Sequence, residues 1–108
     1  MKLNQYQDQA IQTAIYGIGS TIVYPTLGLA GEAGEVANKV KKVLRDNGGV
    51  FTDEVKKELA KELGDAIWYC AALARDLGHT LEEICEMNLE KLASRQARGV
   101  IGGSGDNR

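Results

Sequence analysis

The sequence predicts an all-α domain. Four segments repeat apolar residues at helical spacing, no segment of useful length alternates apolar and polar residues as a half-buried strand would, and glycines and capping residues fall between the repeats. The first helix covers about residues 3–16, placing Leu3, Tyr6, Ala10, Thr13 and Ala14 on one face. Gly17 and Gly19 interrupt it. Pro25 suits the first turn of the second helix, where its missing N–H has no partner to lose. Leu29, Ala33, Val36, Val40 and Val43 then form an apolar stripe that ends near the DNGG at 46–49.

Thr52 is the expected N-cap of the third helix, and Asp53 and Glu54 complement the positive end of its dipole. Its stripe is Leu59, Leu63, Ala66, Cys70, Leu73 and Leu77. Gly78 suits a left-handed helix end, and Thr80 with Glu83 reads as a capping box opening a fourth helix over about 81–96. Four glycines among residues 98–108 mark a loop or arm. The division is therefore a helical domain over 1–98 and a flexible tail over 99–108.

At 108 residues one hydrophobic core is expected. A core this small leaves association into a homo-oligomer as a natural way to bury more surface. A net charge of −2 excludes a general binder of nucleic acid polymers, which needs a basic footprint. No apolar run reaches the roughly 18 residues of a membrane span and the first residues lack a signal-peptide core, so the expected setting is the cytoplasm. Cys70 and Cys85 have neither CxxC spacing nor histidine neighbours and read as reduced core thiols.

Chemistry concentrates on the second and third helices. GLAGEAGEV carries Glu32 and Glu35 three apart, and KELGDAIWY carries Glu62 and Asp65 at the same spacing. By helical rotation each pair lies roughly 110° from the centre of its helix's apolar stripe, flanking the core. If the helices pack side by side, four carboxylates converge on one groove and need a positive partner. Carboxylate oxygens suit magnesium, with manganese as the alternative. An isolated acidic pair is ordinarily solvated surface. Gly28, Gly31, Gly34 and Gly64 around the pairs weaken a helix by about 1 kcal/mol each relative to alanine. They point to close approach of a backbone or ligand.

These two motifs resemble those of the MazG-like all-α nucleoside triphosphate pyrophosphohydrolases, marked by an ExxE, a spacer and an ExxD. The likeness runs from the first helix through the fourth. It implies an oligomeric, four-helix bundle-like fold, a homodimer or homotetramer, holding magnesium on Glu32, Glu35, Glu62 and Asp65. The implied reaction converts a nucleoside triphosphate, with a deoxynucleotide favoured, to a monophosphate and pyrophosphate. Water would attack the α-phosphorus in line with the leaving pyrophosphate, and Glu35 is the candidate for taking its proton.

Asn88, Lys91 and Arg95 share a face of helix four and resemble the family's phosphate-binding residues there. A solvated face is the competing reading. Lys39 continues the Glu32 and Glu35 stripe, either to reach phosphates or to pair with Glu35. Glu58 is a fifth acid or plain surface. Trp68 lies off the apolar stripe, where it meets a subunit or stacks on a base, and it joins the candidate substrate-binding residues. His79 is assigned no role. The readings set against this one are a non-catalytic acidic helical module for a basic partner and a dUTPase-like specificity on the same scaffold.

Overall fold

The computed structural model describes residues 1–108. Four α-helices, α1 (Leu3–Ile11), α2 (Val23–Asp46), α3 (Asp53–Asp76) and α4 (Leu81–Ala97), with one 3-10 turn at Ile18–Ser20, make up its regular structure. The fold is all-α. No helix is long and apolar enough to cross a membrane.

The expected caps form. The Thr52 hydroxyl accepts from the Val55 N–H at 3.2 Å, and Thr80 accepts from Glu83 at 3.1 Å. At the end of α3, Gly78 takes φ +84°, and the His79 N–H then reaches the Ala74 carbonyl at 2.9 Å. Pro25 sits in the first turn of α2, fully buried.

The first helix is shorter than its periodicity suggests, ending at Ile11 rather than near residue 16. The Ala10 carbonyl accepts from the Thr13 N–H, the Thr13 hydroxyl and the Trp68 indole, at 3.0, 2.7 and 3.1 Å. A tertiary bond and a local turn thus take the acceptor that a continuing helix would have used. The chain then crosses to α2 through Ile22, whose φ of +69° is strained for a β-branched residue. The Asp76 carboxylate holds that turn, accepting from the Ile22 N–H and the Tyr16 hydroxyl, both at 2.9 Å.

α3 is the central element, packed against α1, α2 and α4, and its most extensive contact is with α2. The short link at 47–52 makes α2 and α3 an antiparallel hairpin. Ala71, Ala72 and Ala74 of α3, Val43 of α2, Ala10 of α1 and Leu81 of α4 are buried. Gln7 is buried among them. Its amide donates to the carbonyls of Ala71 and His79 and accepts from the Leu81 N–H, tying α1 to the α3–α4 turn.

This core is thin. The radius of gyration is 16.8 Å, against about 13 Å for a compact domain of this length. Several residues of the expected stripes stay open within one chain, among them Leu63 at 54% and Leu77 at 52% exposed. Cys70, expected in the core, is exposed, and Cys85 is half-buried. The small side chains of Ala71, Ala72 and Ala74 are the buried part of α3, while larger apolar residues such as Leu63 and Leu77 stay open.

Candidate metal centre

α2 and α3 deliver their acids to one place because both pairs lie beside the stripes along which the helices pack. The carboxylate oxygens of Glu32, Glu62 and Asp65 lie within 4.8 Å of one another. Glu35, the fourth expected acid, stays outside this group and is exposed. It lies one turn further along α2, yet its charge still acts on Glu32.

Glu32 carries the strain of the arrangement. Burial pushes its carboxyl above the ordinary value, and the close approach of Glu62 and the charges of Asp65, Glu62 and Glu35 push the same way. Its Oε2 is buried without any hydrogen-bond partner. A buried carboxylate oxygen with no donor, facing two other carboxylates, is what a hard divalent cation relieves, and a set of oxygen donors suits magnesium or manganese. The residues present fit such an ion.

Lys39 supplies positive charge nearby. Its ammonium lies 3.7 Å from Glu62 and 3.8 Å from Glu58. The intrahelical pair with Glu35 is therefore replaced by a bridge from α2 to α3, since the hairpin sets acids of the neighbouring helix within reach. Lys39 also lines a cavity of about 550 Å³ with Lys42, Asp46, Asn47 and Glu58.

A second cavity, of about 360 Å³, opens beside the acids and is lined by Thr13, Glu32, Asp65, Trp68 and Tyr69. Trp68 is half-buried, its indole N–H donating to the Ala10 carbonyl and, at 2.8 Å, to the Thr13 hydroxyl. Its off-stripe position is thus explained by α1 of the same chain. The Tyr69 ring meets Trp68 edge-on at 5.0 Å. Burial, the Tyr24 hydroxyl and the charges of Tyr24, Glu32 and Asp65 hold the Tyr69 phenol above its ordinary value of 10.0.

Gly28 explains how Tyr69 comes so close to the acids. A Cβ at Gly28 would overlap the Tyr69 ring. Gly31, Gly34 and Gly64 have open space where a Cβ would stand. Of the four glycines expected to mark a close approach, only Gly28 does so within the chain.

The candidate phosphate-binding residues of α4 lie apart from the cavity beside the acids. Asn88 and Lys91 line a cavity of about 390 Å³ with Ile84, Met87 and Asp106, and Arg95 is buried one turn on. None of the three lines the cavity that holds Glu32 and Asp65. His79 meets Glu83 at 2.9 Å in the α3–α4 turn, away from the acids.

Sequence reasoning missed Gln7, Thr13, Tyr69 and Asp76. Gln7 carried a usable signal, a polar side chain between Leu3 and Ala10 on an otherwise apolar face. Asp76 carried none, because its partners Tyr16 and Ile22 lie far away in sequence.

The family model described as "MazG nucleotide pyrophosphohydrolase domain" matches residues 24–100, which takes in all but the first residue of α2 and the whole of α3 and α4. The Gene 37 protein of Mycobacterium phage L5 is 53% identical over 114 residues, a match that covers the whole of both chains. No solved structure matches the sequence.

Proposed function

This chain belongs to the MazG nucleotide pyrophosphohydrolase family, and from that premise we propose that it hydrolyses nucleoside triphosphates, deoxynucleotides foremost, to a monophosphate and pyrophosphate. The reaction uses magnesium and serves control of the cytoplasmic nucleotide pool. One observation carries this reading: three carboxylates from two helices meet within 4.8 Å around a buried Glu32 oxygen that has no partner.

Glu32, Glu62 and Asp65 would hold the cation, with Glu35 beside them. A bound divalent cation supplies neutralisation of phosphate charge and makes water easier to deprotonate. Glu35, exposed and outside the three, is free to accept the proton of the attacking water. Trp68 and Tyr69 give the neighbouring cavity the flat apolar walls that a base stacks on. Lys39, withdrawn from Glu62 and Glu58, has the charge and reach to meet a phosphate. Asn88, Lys91 and Arg95 contribute further phosphate contacts.

Those α4 residues line a cavity other than that of the acids, and association into a homodimer or homotetramer would let another copy of the chain bring them to it. The open apolar side chains support association. Leu63 and Ile67 of α3 and Met87 and Leu89 of α4 are 49–65% exposed, apolar side chains that a second copy could cover.

The test is a panel of the eight common ribo- and deoxynucleoside triphosphates, assayed for pyrophosphate with and without magnesium, on wild type and D65N. Release that needs magnesium and falls at least a hundredfold in D65N is expected. Absence of release from every triphosphate, together with a melting temperature that millimolar magnesium leaves unmoved, overturns the proposal.

A further inference from the structure

The segment after α4 closes on itself. The Arg108 guanidinium donates to the carbonyls of Val100, Ile101, Gly102 and Gly105, and Arg98 donates to the Arg108 carbonyl at 2.8 Å. Gly103 and Gly105, at φ +99° and +87°, allow the curl. From this loop one side chain reaches back to α4. Asp106 Oδ1 accepts from Lys91 Nζ at 2.9 Å and from Arg95 Nη2 at 3.2 Å, and the Asp106 carbonyl accepts from the same Nη2 at 2.6 Å.

The fit is incomplete on the arginine side. The Arg95 side chain is only 8% exposed, and its Nε is buried with no acceptor at all. A guanidinium fork is best met by two oxygens spanning Nε and Nη2. Asp106 engages Nη2 alone. A phosphate group has oxygens enough to take both nitrogens and the Lys91 ammonium together. Asn88 lines the same cavity and offers an amide donor. Asp106 itself is 77% exposed, so the surrounding solvent can reach the contact and exchange it. The hydrogen bond and charge of Lys91, then the Arg95 bond, hold the Asp106 carboxyl below its ordinary value, as expected of an anion seated on two cations.

We propose that residues 99–108 form a displaceable plug, in which the Asp106 carboxylate sits on Lys91 and Arg95 in place of a substrate phosphate and is expelled when a polyphosphate binds. This regulation rests on the reading of Asn88, Lys91 and Arg95 as phosphate-binding residues. It makes the affinity for nucleotide a competition between an internal anion and an external one. Because the loop is held together chiefly by Arg108, it leaves as one body rather than unravelling residue by residue.

The experiment titrates the full-length chain with inorganic pyrophosphate by calorimetry, in wild type, D106N and K91Q, and follows the backbone amide resonances of 102–107. D106N is expected to bind pyrophosphate about fivefold more tightly than wild type, the worth of one partly exposed pair to Lys91 and one half-covered pair to Arg95. K91Q is expected to bind more weakly, and the 102–107 resonances of wild type to shift on saturation. If D106N binds no more tightly than wild type while K91Q weakens binding, the plug is refuted and the phosphate site stands. If K91Q binds pyrophosphate as wild type does, the phosphate reading of α4 fails and the plug fails with it.

Discussion

Gly28 of α2 lies so close under the Tyr69 ring of α3 that no side chain fits between them. That contact sets the spacing of the two helices at the level of Glu32 and Asp65, and it places the Tyr69 ring as a wall of the cavity beside them.

Gly28→Ala sets two effects in opposition. Alanine favours the helix by about 1 kcal/mol, whereas forcing a methyl into a packed site costs about 1–3 kcal/mol. The Cβ would overlap the ring directly, so the steric term wins. G28A should lower the midpoint of urea unfolding, and the same substitution made in a Tyr69→Ala background should cost little. A G28A protein as stable as wild type would show that the rings move aside freely.

Asp76 makes stability depend on acid. Burial alone would raise its carboxyl, but the hydrogen bonds from the Ile22 N–H, the Tyr16 hydroxyl and Arg75 outweigh burial and hold it below 3.8. A carboxyl depressed in the folded state stabilises above its unfolded value, and the stabilisation disappears as pH falls through the folded one. D76N should therefore cost about 1–3 kcal/mol at neutral pH. The gap to wild type should close as the pH drops below the ordinary carboxylate range. Denaturant unfolding of both proteins across pH checks it, and a gap constant with pH would contradict the assignment.

The chain holds a single tryptophan, and it lines the cavity next to Glu32 and Asp65. Its emission should change when a nucleoside triphosphate binds with magnesium. Removing the cation with a chelator should reverse the change. A fluorimetric titration that stays flat while calorimetry registers binding would locate the nucleotide elsewhere.

Lys39 competes for Glu62 with any cation held there. K39M should bind magnesium about threefold more tightly, in keeping with a partly exposed pair. Its KM for nucleotide should rise if the lysine also meets phosphate. Weaker magnesium binding in K39M would mean that the lysine organises the acids rather than opposing the ion.

Magnesium should raise the melting temperature of wild type and leave E32Q almost unmoved. In the absence of the ion E32Q should be at least as stable as wild type, because it removes a buried carboxylate oxygen that has no partner. Thermal melts with and without the cation measure both effects. A magnesium shift preserved in E32Q would place the ion away from α2.

Much of this was legible from residues alone. Thr52, Thr80 and Gly78 mark helix ends through bonds made within one turn, and Pro25 through the donor it lacks, so their geometry follows from local spacing. The two acidic pairs were legible for the same reason, since residues three apart must share a helix face. The site's finer order was not. Whether Glu35 joins the other acids, and whether Lys39 pairs along α2 or across to α3, depends on how far the hairpin slides and rotates, and no local rule sets that. The early end of α1 was hidden because part of its cause, the Trp68 indole on the Ala10 carbonyl, lies 58 residues away.

By itself, then, the amino-acid order determined the all-α class, the caps and links, and the two helices that carry the acids. Each of these follows from bonds between residues a few positions apart. Only the packed chain decided that Glu32, Glu62 and Asp65 meet while Glu35 stands aside, that Gly28 makes room for Tyr69, and that Asp106 covers Lys91 and Arg95. Those outcomes depend on contacts between distant segments, where burial and charge are shared among several elements at once.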